Sequence, residues 1–237
     1  MQILKYPPLF FPRTVTFQNF VNVQKEVPIW TYAKNTFVYT SIVTCVSVFV
    51  NAMAGYAFAR TNFKGKRILF ACLLATMMIP FHVMMIPLFM MIYSLGMLYT
   101  LPGLVIPKFA GIAGIFFMRS FFVSLPKQLE EAARIDGLRE FSIFTRIMLP
   151  LCKPAIITQI VLTINACWND LLWPLLFTNR REQLMLANGI SLYVGVEAQY
   201  YGVAFAAGVI SVLPLLIVFI FGQKYFVNSI VSTGIKG

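Results

Sequence analysis

Long apolar runs separated by short polar connections lay out this 237-residue chain. A helix that crosses the hydrocarbon of a bilayer needs about 20 mostly apolar residues. Five runs meet that length: 35–59, 68–92, 104–121, 154–177 and 203–221. The pattern predicts an all-α integral membrane protein with five transmembrane helices. Pro80 and Pro87 fall inside the second run. A proline there removes a backbone donor, so that span is expected to kink.

One stretch breaks the pattern. Residues 131–150 are rich in charge and lie between two apolar runs. Ser124-Leu125-Pro126 reads as a helix start, with a capping hydroxyl and a first-turn proline. A helix is expected from Lys127 to Ile135, a bend at Gly137, and a second short helix from Leu138 to Met148 stopped by Pro150. Ala132 and Ala133 leave room for close approach, and Leu129, Ile135, Phe141, Phe144 and Ile147 form an apolar side. Such a helical pair suits a groove of another protein. It equally suits a bed of lipid headgroups, and physics alone leaves both readings open.

Composition agrees with a membrane protein: 59% of residues are hydrophobic and 11% charged. Soluble domains carry about a quarter charged residues. The net charge of +11 does not signal nucleic acid, because the basic residues sit in the connections, where they act as topology signals. Arg60, Lys64, Lys66 and Arg67 share one connection without an acid, and a second basic stretch runs from Arg119 to Lys153. The excess of positive charge places both, and the C-terminus, in the cytoplasm. Five spans then put residues 1–34 outside as an N-terminal segment. Residues 35–237 form a single transmembrane domain with a cytoplasmic loop at about 122–153. No signal peptide is visible at Met1. Cys45, Cys72, Cys152 and Cys167 show no metal or disulfide spacing and are expected to be small buried hydrophobes. A phosphate loop of the form Gly-x-x-x-x-Gly-Lys-Ser/Thr is not present.

Polar residues within spans are the candidates for a solute pathway. They are Asn51, Trp168, Asn169 and Asp170, with His82 a weaker one. The competing reading for Asp170 is a helix–helix polar contact. The methionines from Met77 to Met91 are expected to pack against lipid or core.

The spacing Glu131-Ala132-Ala133, three residues including Asp136, Gly137, nine residues, then Ile147-x-Leu149-Pro150 resembles the signature loop of permease subunits of bacterial binding-protein-dependent ABC importers. Phe117–Pro126, Trp168-Asn169-Asp170 with Pro174, and the ending Val231–Gly237 are similar to the carbohydrate branch, the maltose-type permeases, and within it the shorter permease. The resemblance spans nearly the whole chain. It departs in one respect: members carry six spans, and the family's first is absent from the five read here.

The resemblance implies a non-catalytic subunit of an ATP-driven sugar or oligosaccharide importer in the bacterial inner membrane. Residues 127–148 would couple the pathway to a separate ATPase dimer that binds ATP and Mg, with no cofactor on this chain. The implied coupling residues are Glu131, Ala132, Ala133, Asp136, Gly137, Ile147, Leu149 and Pro150. Gly234, Lys236 and Gly237 would form a tail reaching toward the ATPase. The implied partners are a second, non-identical permease and an extracytoplasmic solute-binding protein docking near Arg180–Gly202. The alternatives are an ABC permease for another small solute and a secondary transporter or channel; the latter usually carries paired intramembrane charges, too few of which occur here.

Overall fold

The computed structural model describes residues 16–195 and 201–234. Among them the regular elements are all helical. They run α1 Gln18–Glu26, α2 Ile29–Arg60, α3 Lys66–Thr76, α4 Phe81–Ser94, α5 Leu101–Val105 with a 3₁₀ turn Ile106–Lys108, and α6 Ile112–Ser124. There follow α7 Gln128–Ile135, α8 Glu140–Ile143, a π turn Phe144–Met148 and α9 Leu149–Leu151. The last are α10 Lys153–Trp168, α11 Leu172–Phe177, a 3₁₀ turn Arg181–Gln183, α12 Leu186–Gly195 and α13 Tyr201–Gly234.

Among the described residues three stretches are long and apolar enough to cross a bilayer unaided: Ile29–Arg60, Leu101–Ser124 and Tyr201–Gln223. Two bent pairs raise the number to five if each crosses as one span. The bends correct the expected boundaries. The run 68–92 holds two helices, α3 and α4, turned by 102° at the break, a far sharper bend than a proline kink. Pro80 makes that break, since it is the extended N-cap of α4 and drives the preceding residue out of the helical region. Pro87 lies inside α4 without ending it. The run 104–121 begins earlier, at Leu101, and is interrupted at residues 109–111. The run 154–177 ends its helix at Trp168, and α11 is a separate element. The 16 residues of α10 reach about 24 Å, short of the hydrocarbon's roughly 30 Å. Glu140–Leu151 meets α10 at 80°, and the two reach the length of a span only when counted together.

The centre of the fold is α2. Of its most apolar window 44% is buried, against 22% for α13. It contributes to three separate cores. Ile29 and Tyr32 join Val23, Leu186 and Ala207 at one end, Tyr39 and Val43 join Ile92, Leu104 and Trp173 in the middle, and Ala52 and Tyr56 join Met118, Phe122 and Phe144 at the other end. Gly55 allows a close approach of α2 to α6: a Cβ there would stand 2.8 Å from Met118 Cβ and 2.9 Å from the Arg119 nitrogen.

The outer faces of α3, α4 and α13 stay apolar and exposed. α3 buries no residue at all, and Met78, Met90 and Phe221 stand out. Lipid covers such faces in a protein of this composition. The same logic corrects two cysteines. Cys152 and Cys167 are buried, but Cys45 and Cys72 are exposed, because an apolar position in a membrane helix can face lipid as well as core.

Candidate functional site

The loop from Ser124 to Cys152 is built as two helices around a tight turn. Ser124 does not cap α7. It ends α6 and donates its hydroxyl to the Phe121 carbonyl at 2.8 Å; the residue at the N-cap of α7 is Lys127, without a side-chain cap. Glu130 and Glu131 lie in the first turn of α7 and Arg134 in its last, the distribution that a helix dipole favours. The bend falls at Gly137, with φ of +80°. Its N–H donates to Arg134 O at 3.0 Å and that of Leu138 to Ala133 O at 3.0 Å. This pair of bonds closes the helix end, and its left-handed residue suits glycine. The second arm starts at Glu140 rather than Leu138. Pro150 does not stop it, since the helical run continues to Leu151 through the π turn. The N–H that Pro150 lacks is accommodated where the wider turn has already loosened the ladder.

The expected apolar side is divided between two faces. Ala133, Ile143, Phe144 and Met148 are buried in the core beneath the loop. Ile135, 86% exposed, and Phe141, 61% exposed, point away from the chain. Glu131, Ala132 and Asp136 share that outward exposure. Leu149 and Ile147 pack at the rim of the core. The outward surface is therefore two acids, an alanine and two large apolar groups, carried on helices anchored from behind.

The anchor is ionic. Arg60, the last residue of α2, donates its Nε proton to Phe122 O at 2.9 Å and its Nη2 to Leu125 O. Glu130 Oε1 lies 3.2 Å from the same Nε, and both side chains are only 4% exposed. Nε has one proton and gives it to the carbonyl, so the contact with Glu130 is one of charge. Arg134 continues the chain, 3.6 Å from Glu130 and 2.7 Å from Glu140 Oε1. The other oxygen of Glu140 accepts from Tyr56 Oη at 3.1 Å. Burial pushes the Glu130 carboxyl above its ordinary range, opposed by Arg60 and Arg134. The hydrogen bond from Arg134 holds Glu140 below it.

The intramembrane candidates do not form one site. Asn51 Oδ1 accepts from Gly111 N at 2.9 Å, which satisfies a donor at the start of α6. Asp170 sits in the break after α10. Its Oδ2 accepts from Lys108 Nζ at 3.0 Å and Tyr39 Oη at 3.3 Å, and its Oδ1 from Trp173 N at 3.2 Å. Tyr39 and Asn51 are twelve residues apart on α2, about 18 Å. Trp168 donates from Nε1 to Ser211 O of α13 at 3.0 Å, and Asn169 donates to Asn165. Trp168 and Asp170 thus join helices. Trp168 also borders an apolar groove of about 900 Å³ between α2, α10 and α13, lined among others by Phe37, Thr44 and Pro214.

Several residues escaped the sequence reading. Lys108, Tyr56, Arg60 and Glu130 carry the polar contacts but look unexceptional in linear order. A stripe of Thr36, Thr40, Thr44, Ser47 and Asn51 is buried on one face of α2, and its spacing of three and four was legible as a helical face. Tyr193 and Tyr201 are partly buried. Tyr200, Lys236 and Gly237 lie outside the described residues, and Gly234 ends α13.

Residues 30–232 match the family described as binding-protein-dependent transport system inner membrane component. The arabinooligosaccharides transport system permease protein AraQ of Halalkalibacterium halodurans is 34% identical, over 97% of this chain and 82% of its own. The trehalose/maltose transport system permease protein MalG of Thermococcus litoralis is 34% identical over 94% and 82%. A chain in the crystal structure of a bacterial ABC transporter involved in the import of the acidic polysaccharide alginate superposes with a TM-score of 0.81 and 27% identity, covering 91% of this chain and 81% of that one. The chain belongs to the family of inner membrane components of binding-protein-dependent transport systems, and so is a multi-pass permease subunit.

Proposed function

We propose that this permease carries sugars or oligosaccharides and takes its power from a separate ATPase through the 127–148 loop. The observation that carries the loop's role is its outward face. Glu131, Ala132, Ile135 and Phe141 are exposed on a helix pair whose back is clamped to α2. A flat bed on headgroups would not need that clamp; a docking surface that transmits force would. The groups facing outward match a helix-in-groove contact, with Glu131 meeting a basic residue of the ATPase. ATP and Mg belong to that partner.

The carbohydrate reading rests on kinship: the relatives are named for arabinooligosaccharides and for trehalose and maltose. Residues 35–237 act as one transmembrane domain, and the loop at 122–153 and the C-terminus face the cytoplasm, in keeping with the excess of basic residues there. Residues 1–34 face outward, with α1 packed on α13 and α12 near the docking place of a solute-binding protein. A second, non-identical permease completes the pathway. Asn51, Trp168, Asn169 and Asp170 shape the inner wall of this subunit by joining its helices, and Gly234, Lys236 and Gly237 lie on the ATPase side.

The test is co-purification and uptake. Glu131→Lys is expected to lower ATPase association and sugar uptake in vesicles while the permease remains in the membrane. Unchanged uptake would sink the docking reading. Uptake measured over a panel of oligosaccharides and amino acids tests the cargo, and transport of amino acids alone would overturn it.

A further inference from the structure

Both ends of α2 are strapped to polar segments that α2 itself does not contain. At one end Tyr56 and Arg60, four residues apart on one helix face, hold the two arms of the loop. Arg60 holds α7 through Glu130, and Tyr56 holds α8 through Glu140. Arg60 also gathers two carbonyls at the C-terminal end of α6, Phe122 O and Leu125 O. At the other end Asn35 Nδ2 donates to Glu182 O at 2.7 Å and to Leu184 O at 3.0 Å. Thr36 Oγ1 accepts from Leu186 N at 2.8 Å. Residues 35 and 60 lie about 37 Å apart along a straight helix, more than the roughly 30 Å of hydrocarbon. α2 also passes through all three cores, and its packing leaves it little freedom to bend.

We infer that α2 is the rod that links the 127–148 loop to the 181–186 segment on the opposite membrane face, and that Tyr56, Arg60 and Asn35 are the positioning residues that fasten it. The inference rests on the reading of the loop as the ATPase dock. A helix held at two points, one by each loop arm, moves when the loop moves. A segment that gives its backbone groups to Asn35 and Thr36 moves with the far end. A displacement imposed by the ATPase then reaches the face that receives solute without crossing the interrupted spans. The coupling is reciprocal: an event at 181–186 is felt at the loop.

The experiment uses the complete reconstituted transporter with its ATPase, partner permease and binding protein. Tyr56→Phe removes one hydroxyl and leaves the ring against Phe122 and Phe144, at centroid distances of 5.5 and 5.2 Å, so the fold survives. Asn35→Ala cuts the far strap. Each variant is expected to assemble and keep its basal ATPase rate, while binding-protein stimulation and uptake fall about five-fold or more. The double variant should be no worse than the weaker single, because both cut one path. Full stimulation in either single variant would overturn the inference. So would an equal fall of basal and stimulated rates, which marks a merely structural role. Glu131→Lys keeps the two readings apart. If uptake survives Glu131→Lys, the dock itself is wrong. If Glu131→Lys abolishes uptake while Tyr56→Phe and Asn35→Ala leave it intact, only the rod is wrong.

Discussion

Lys108 Nζ and Asp170 Oδ2 stand 3.0 Å apart and join two interruptions, one in the span Leu101–Ser124 and one after α10. The ammonium also lies 5.0 Å from the Trp173 ring centroid and 5.6 Å from that of Phe81, which opens α4 at a third interruption. Helix breaks leave backbone groups without partners, and in a bilayer these must be satisfied inside the protein. One ion pair under two aromatic rings gathers three breaks at one level.

A double-mutant cycle on this pair should therefore show coupling. Asp170→Asn keeps an acceptor for Trp173 N but strips Lys108 of its counter-charge. The Lys108 side chain is 32% exposed, which moderates the cost. The expected interaction energy is about 1–2 kcal/mol, between that of surface and buried pairs. Thermal unfolding of Asp170→Asn, Lys108→Met and the double variant in detergent measures it. Additive effects would show the pair to be incidental.

Gly137→Ala should destabilise the loop by about 1–2 kcal/mol, because a Cβ is unfavourable at a left-handed φ. No atom stands within 4 Å of the added carbon, so backbone conformation alone sets the effect. Gly137→Asn should cost less, since asparagine tolerates that region. Hydrogen exchange at 128–148 distinguishes them, and equal protection in all three proteins would contradict the assignment.

Gly55→Ala tests a different constraint. The added methyl would press on Met118 Cβ and the Arg119 backbone at under 3 Å. Neither is the free end of a flexible chain, so α2 and α6 must separate. Overpacking of this kind costs about 1–3 kcal/mol, and small residues carry close helix packing in membranes. A melting temperature unchanged from the parent would show that the gap is looser than drawn.

Two carboxyls of the clamp should titrate in a set order. Glu140 is held below its usual range by Arg134, so its contribution to stability is present above the unfolded value and is lost as pH falls through the lowered one. Glu130 is raised by burial. Its contribution runs the other way, present below the unfolded value and lost as pH rises through the raised one. On acidification Glu130 should take up its proton first. Infrared difference spectra should show a protonated carboxyl band that Glu130→Gln removes at the higher pH and Glu140→Gln removes only at the lower. The reverse order would refute the burial argument.

Much of the loop was readable in linear order because its determinants are local. Gly137 bends the chain through its own φ, and the alanines and Glu131 occupy consecutive helical positions. The capping role expected of Ser124 failed because proline and an extended Leu125 separate it from α7, leaving Phe121 O as the nearer acceptor. The apolar side was expected on one face, yet Phe144 and Phe141 part company. Their rings lie 6.2 Å apart, yet only Phe144 reaches the core beneath the loop, and which of two adjacent aromatic rings is covered depends on helices distant in sequence.

Sequence alone determined the class of the protein. Apolar runs as long as a bilayer is thick leave a helix few alternatives, because lipid offers no partner for the backbone. It also determined the loop, whose motif is contiguous. Tertiary structure decided the pairings. Arg60 and Glu130 are seventy residues apart in the sequence, and Lys108 and Asp170 sixty-two. Nothing local says which charge meets which. Those choices follow from how far each helix runs before it breaks and which faces the cores hold together, and both are properties of the packed bundle.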